Sequence, residues 1–152
     1  MNLLPTPPKF DFENHPFVIA VVGSREFKRE RWVHTFLDQL RDGTLVVSGG
    51  APEGVDLWVK EDIRDKHAGR LIYKEFSVLS KEWELYGKPA GPIRNESIVF
   101  YMKMLMSRGY GGHTVIFANY NVRNQMYTPG SNSVILLAKK YQVPHTVYHV
   151  EV

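Results

Sequence analysis

Short continuous apolar runs alternate along this chain with apolar residues at helical spacing. Phe17-Val18-Ile19-Ala20-Val21-Val22 has no polar interruption, as expected of a strand covered on both faces. Trp32, Val33, Phe36, Leu37 and Leu40 then form a helical stripe that stops near Gly43. Leu45-Val46-Val47 predicts a second strand, and Val55, Val59 and Ile63, set among charged residues, predict the helix after it. Leu71 to Phe76 reads as a third strand, more polar and so nearer an edge. Lys81 to Tyr86 predicts a helical turn bearing Trp83 and Tyr86, and Gly87 to Pro92 a loop. Ile93-Arg94-Asn95-Glu96 opens a helix with Ile98, Met102, Leu105 and Met106 on one side, closed by Gly109, Gly111 and Gly112. Thr114 to Ala118 predicts a fourth strand, Asn119 to Gly130 a long loop, Ser131 to about Tyr141 a helix, and Val143 to Val150 a fifth strand.

The alternation of strands and helices predicts an α/β fold: a Rossmann-like three-layer sandwich around a five-stranded, mainly parallel sheet in the order 3-2-1-4-5. Residues 1–16 carry Pro5, Pro7, Pro8 and Pro16 without periodicity and read as an N-terminal arm. Residues 17–152 read as a single domain.

Composition narrows the classes. The chain has 152 residues, 43% of them hydrophobic, enough for an ordinary core. Without cysteine, a disulfide scaffold and a thiolate metal site are excluded. The formal charge of +3 is scattered rather than blocked and so is weak evidence for nucleic acid, which leaves single-stranded nucleic-acid binding as the last of the alternatives. No apolar run approaches a membrane span, and the first residues lack the pattern of a secretory signal. A cytoplasmic protein without membrane contact is the expectation. No metal set is visible: His145 and His149 lie four residues apart on a strand, roughly 13 Å, and His113 stands far from them in the sequence, ahead of the fourth strand. No cofactor is called for.

The chemistry collects in the turns. Gly23-Ser24-Arg25 follows the first strand, and Ser48-Gly49-Gly50-Ala51 with Gly54 and Asp56 follows the second. Arg94 and Asn95 start one helix, and Gly130 and Ser131 start another. In a sheet of this order the turns beyond the strand carboxyl ends meet at one rim, where the strand order reverses. Glycines let a ligand approach the backbone, helix starts present unpaired N–H groups, and arginine forks match phosphate oxygens. Asp56, in the first turn of its helix, suits a cap or a ribose hydroxyl better than a phosphate.

GSREF, SGGAPEGVD, KPAGPIRN and TPGSNSVILLAKK, in that order, resemble the motifs of the SLOG superfamily, and most of all its cpYpsA-related branch. The resemblance runs from about residue 17 to the C-terminus. It implies a Rossmann-like fold that binds a nucleotide or a nucleotide-derived metabolite. Relatives in that superfamily include the cytokinin-activating phosphoribohydrolases, which cleave an N-glycosidic bond, and the DNA-processing protein A family, which binds single-stranded DNA. Carried over, Gly23, Ser24 and Arg25 would contact phosphate or ribose, and Gly49, Gly50 and Gly54 would shape the central turn. Asp56 matches that motif's acidic residue, Arg94 and Asn95 the basic pair, and Gly130 and Ser131 the last glycine-hydroxyl pair. The phosphoribohydrolases carry a glutamate three residues after that last hydroxyl, where this chain has Val134. Binding, as a sensor or sequestering module, is therefore expected ahead of hydrolysis. An N-glycosidase would need Asp56, Glu53 or Glu96 to replace the glutamate. The apolar helix Ile98 to Met106 and the aromatic arm offer faces for a homodimer, as relatives often form, but nothing in the sequence demands one.

Overall fold

The computed structural model describes residues 17–77 and 90–152. Six strands, β1 (Phe17–Gly23), β2 (Leu45–Ser48), β3 (Ile72–Glu75), β4 (Gly111–Asn121), β5 (Met126–Tyr127) and β6 (His145–Glu151), form one sheet. Among the described residues, four helices join them: α1 (Glu30–Asp38), α2 (Val55–Lys66), α3 (Ala90–Ser107) and α4 (Pro129–Lys140). The long strands are parallel in the order β3-β2-β1-β4-β6, and β5 folds back antiparallel on the end of β4. This is the expected Rossmann-like arrangement, the fifth strand of the sequence reading being β6.

The unbroken apolar run of β1 has its cause here. Ile19 and Val21 face α1 and α2, where they meet Phe36, Leu37, Val59 and Ile63. Val18, Ala20 and Val22 face α3 and α4, where they meet Ile98, Met102, Val134 and Ala138. Burying such a side chain on either face contributes about 1.5–3 kcal/mol, so neither face tolerates a polar residue. β3 pairs only with β2 and leaves Ile72 exposed, as its polar pattern implied.

Several boundaries differ from the periodicity. β4 begins at Gly111, so Gly111 and Gly112 belong to the strand rather than to a helix end. A Cβ on Gly112 would stand 2.9 Å from Met106 Cγ, so glycine there allows α3 to lie close on β4. The loop expected from Asn119 to Gly130 contains a short hairpin, with Tyr120 paired to Tyr127 and Asn121 to Met126. α3 starts at Ala90, earlier than expected, because proline is tolerated in a first helical turn. Ile98 and Met102 are fully buried against the sheet, so the stripe expected as a dimer face is core; Ile93 and Phe100 are the exposed apolar residues of α3. The expected turn with Trp83 and Tyr86, and the arm at 1–16, lie outside the described residues. Among those described, no helix is long and apolar enough to cross a membrane.

Candidate functional site

From β1 the chain steps to β2 on one side, and β4 takes the other. Between the carboxyl ends of β1 and β4 the order reverses, which leaves a crevice. Gly23 ends β1 there. A Cβ on Gly23 would overlap Phe117 O and stand 2.6 Å from Val55 Cγ2, so glycine lets the start of α2 seat against the sheet edge.

A cavity of about 40 Å³ opens at this point, lined by Val22, Gly23, Asp56, Arg94, Asn95, Gly130, Ser131 and Val134. One water needs about 10–15 Å³, so the cavity takes a small polar group rather than a whole nucleotide. Three helices contribute: α2 through Asp56, α3 through Arg94 and Asn95, and α4 through Gly130 and Ser131.

Asp56 and Arg94 close over Gly49. A Cβ on Gly49 would stand 2.7 Å from Asp56 Oδ2 and 3.0 Å from Arg94 Nη1. Arg94 Nη1 donates to Gly49 O at 2.9 Å, and its Nε donates to Asn95 Oδ1 at 3.1 Å. Asn95 Nδ2 reaches Gly130 O at 3.5 Å, so the starts of α3 and α4 are held together. Asp56 Oδ2 accepts from the Ala51 N–H at 3.1 Å, which closes the 49–54 turn. It does not cap α2, whose N-cap Gly54 has no side-chain partner.

Burial raises the pKa of Asp56 above the ordinary carboxylate range, against the pull of the Ala51 N–H, Arg94, Ser48 and Arg25. Burial likewise lowers that of Arg94; Asp56 opposes the shift and Arg25 adds to it. The three charges therefore act on one another, although Arg25 is exposed and does not line the cavity. Two guanidinium groups against one carboxylate leave the site net positive. The start of α4 adds to this. Thr128, its N-cap, makes no side-chain cap bond, and Pro129 has no N–H to offer. The first-turn N–H groups of Gly130 and Ser131 carry the helix's partial positive charge to the cavity.

Other expected residues support this edge from behind. Ser24 Oγ shares hydrogen bonds with Thr128 Oγ1 at 2.7 Å and Ser131 Oγ at 3.2 Å, and accepts from the Asn119 N–H at 3.2 Å. Ser48 is fully buried; its hydroxyl donates to Val21 O at 2.7 Å and lies 3.4 Å from Asp56 Oδ1, so it supports the carboxylate from inside the sheet. Gly50 has φ +71°, and a Cβ there would stand 2.6 Å from Glu75 Cδ and 2.8 Å from Ser77 Cβ rather than in the cavity. Gly54 has φ +76°, and a side chain there would collide with the Arg25 backbone. Ala51 has its N–H engaged by Asp56.

Of the three carboxylates named as candidate acids, only Asp56 lines the cavity. Glu53 is exposed on the turn, and the exposed Glu96 accepts from Tyr141 Oη at 3.0 Å. The reading of turns missed Asn119. Asn119 pins the Gly23–Glu26 turn through Glu26 O at 2.9 Å, a contact 93 residues apart in sequence that no local pattern encodes. The one grouping of histidine and carboxylates among the described residues close enough to share a metal lies elsewhere, between α1 and α2. No protein-family model and no curated protein matches the chain.

Proposed function

We propose that this protein binds the phosphate-bearing part of a nucleotide or nucleotide-derived metabolite at the crevice between β1 and β4, as a SLOG-type sensor or sequestering module. One observation carries the reading: Arg94, beside Asp56 and over Gly49, shares a small cavity with the uncapped start of α4. A phosphoryl group suits that volume and charge, with Arg25 and the rest of the ligand outside the cavity. Asp56, repelled by phosphate, would take a ribose hydroxyl. Val134 at the cavity wall offers no acid, which favours holding the ligand over cleaving it. Calorimetry against nucleoside phosphates, ADP-ribose and cyclic nucleotides tests this. Saturable binding by the wild type that is lost in the Arg25→Ala, Arg94→Ala double variant supports it. Silence across the panel, or equal binding by the variant, counts against it.

A second reading, N-glycosidic cleavage, is favoured by the raised pKa of Asp56 within the same cavity. A carboxyl that holds its proton more tightly than usual is suited to pass it to a leaving base while the arginines hold the phosphate. Free base released from a nucleoside monophosphate, and lost in Asp56→Asn, would support it; unchanged substrate after long incubation would end it. The proposal also takes the protein to be cytoplasmic. It places a homodimer contact on the outer side of α3, around Ile93 and Phe100, which light scattering across a concentration series tests.

A further inference from the structure

Away from the cavity, α1 and α2 bring together side chains that lie far apart in sequence. His34 and Asp38 stand one turn apart on α1, while Asp62 lies on α2 and His67 is its C-cap. One donor atom each from Asp38, Asp62 and His67 lie within 4.8 Å of one another. His67 Nε2 is 3.2 Å from Asp38 Oδ1 and 3.5 Å from Asp62 Oδ2, and His34 Nδ1 is 3.2 Å from Asp62 Oδ2. Ligands placed about 2.0–2.1 Å from a tetrahedral zinc ion stand about 3.3 Å from each other. The His67–Asp38, His67–Asp62 and His34–Asp62 separations match such edges, while Asp38 and Asp62 lie within 4.8 Å of each other.

A second observation points the same way. The side chains of Asp62 and His67 are only 1% and 7% exposed. Yet Asp62 Oδ2, His67 Nε2 and His34 Nδ1 are buried atoms with no hydrogen-bond partner. They meet at ion-pair distance, but no ring N–H is aligned with the oxygen beside it. The other oxygen, Asp62 Oδ1, lies 3.6 Å from Lys66 Nζ. A buried carboxylate oxygen held against ring nitrogens without a well-aligned hydrogen bond is costly for a metal-free protein and natural for a metal ligand. Asp38, at 56% exposure, leaves one side open for an ion to enter.

Arg70 works against this arrangement. It donates to His67 Nδ1 from Nε at 3.2 Å and Nη2 at 2.9 Å, so the neutral ring keeps its proton on Nε2. A metal-bound histidine instead donates from its second nitrogen to an acceptor. Arg70 therefore weakens binding, because an entering ion has to displace the Nε2 proton.

We propose that Asp38, Asp62 and His67, with His34 as the nearest further donor, form a binding site for a first-row divalent cation, zinc foremost, that cross-links α1 to α2. A mixed imidazole and carboxylate set favours such ions over magnesium and calcium. The test is titration of the metal-free full chain with Zn²⁺, with Co²⁺ as a spectroscopic probe and Mg²⁺ and Ca²⁺ for comparison. One equivalent of Zn²⁺ or Co²⁺ binds, Co²⁺ develops the visible absorption of a low-coordinate site, and Zn²⁺ at a hundred times its dissociation constant raises the melting temperature by about 5–10 °C. Asp62→Asn abolishes these effects. Asp38→Asn, at an exposed position, abolishes them without changing the metal-free melting temperature. Arg70→Gln, whose amide oxygen can accept from Nδ1, tightens binding several-fold. Absence of stoichiometric binding overturns the site, as does wild-type affinity in both aspartate variants or equal affinity for Mg²⁺; the cluster is then an ion-pair network only. Unchanged or weaker binding in Arg70→Gln overturns His67 Nε2 as a ligand.

Discussion

Arg94 donates to the carbonyl of Gly49 across 45 residues of sequence, tying the start of α3 to the turn after β2. The guanidinium is thereby held at the cavity instead of sweeping through solvent, so less freedom is lost when it meets a ligand. Replacing Arg94 with lysine keeps the charge but loses the planar fork. Arg94→Lys should weaken nucleotide binding at least tenfold while leaving the fold intact, as read by calorimetry beside circular dichroism.

Gly49 is enclosed by Asp56 Oδ2 and Arg94, both within 3.0 Å of where a Cβ would stand. Gly49→Ala should force these two groups apart. Overpacking of this kind costs about 1–3 kcal/mol, and ligand affinity should fall with it. Urea denaturation and calorimetry on the same preparation separate the two effects.

The raised pKa of Asp56 fixes the sign of a pH effect. The folded state holds that proton more tightly than the unfolded state. The resulting stability is fully present below the ordinary carboxylate pKa and is lost as pH rises through the folded value. Asparagine keeps an acceptor for the Ala51 N–H and never ionises. Asp56→Asn should therefore be as stable as the wild type or more so at neutral pH, and should lack this part of the fall in stability with rising pH. Melting curves from acid to neutral pH read the difference.

Ser24 holds three partners with one hydroxyl: Thr128, Ser131 and the Asn119 N–H. Ser24→Ala leaves buried groups without their partner, at a cost of about 1–3 kcal/mol. Denaturant midpoints should show the loss, and hydrogen exchange should quicken at the start of α4.

The layered sheet was legible because β1 is buried on both faces and α1 is apolar on one, patterns that periodicity reports directly. The hairpin at Tyr120–Tyr127 was not, because only two residue pairs make it and they lie in a polar stretch. Gly111 and Gly112 read as a helix end, although the packing of Met106 on Gly112 places them in a strand. At the crevice, Arg94, Asn95, Asp56, Gly130 and Ser131 were legible as turn chemistry, and they meet. The inward use of Ser48 and the outward turn of Gly50 depend on Val21 and Glu75, partners that only the folded sheet supplies. The grouping of Asp38, Asp62 and His67 was hidden because its members lie on two helices that pack side by side.

The central claim is that an anion is held between Arg94 and the start of α4. The most direct measurement is the backbone amide spectrum of ¹⁵N-labelled protein during titration with nucleoside monophosphate. Saturable shifts centred on Gly49, Asn95, Gly130 and Ser131 are expected, and they vanish in Arg94→Ala. Shifts confined to other parts of the sheet, or none at saturating ligand, would contradict the claim.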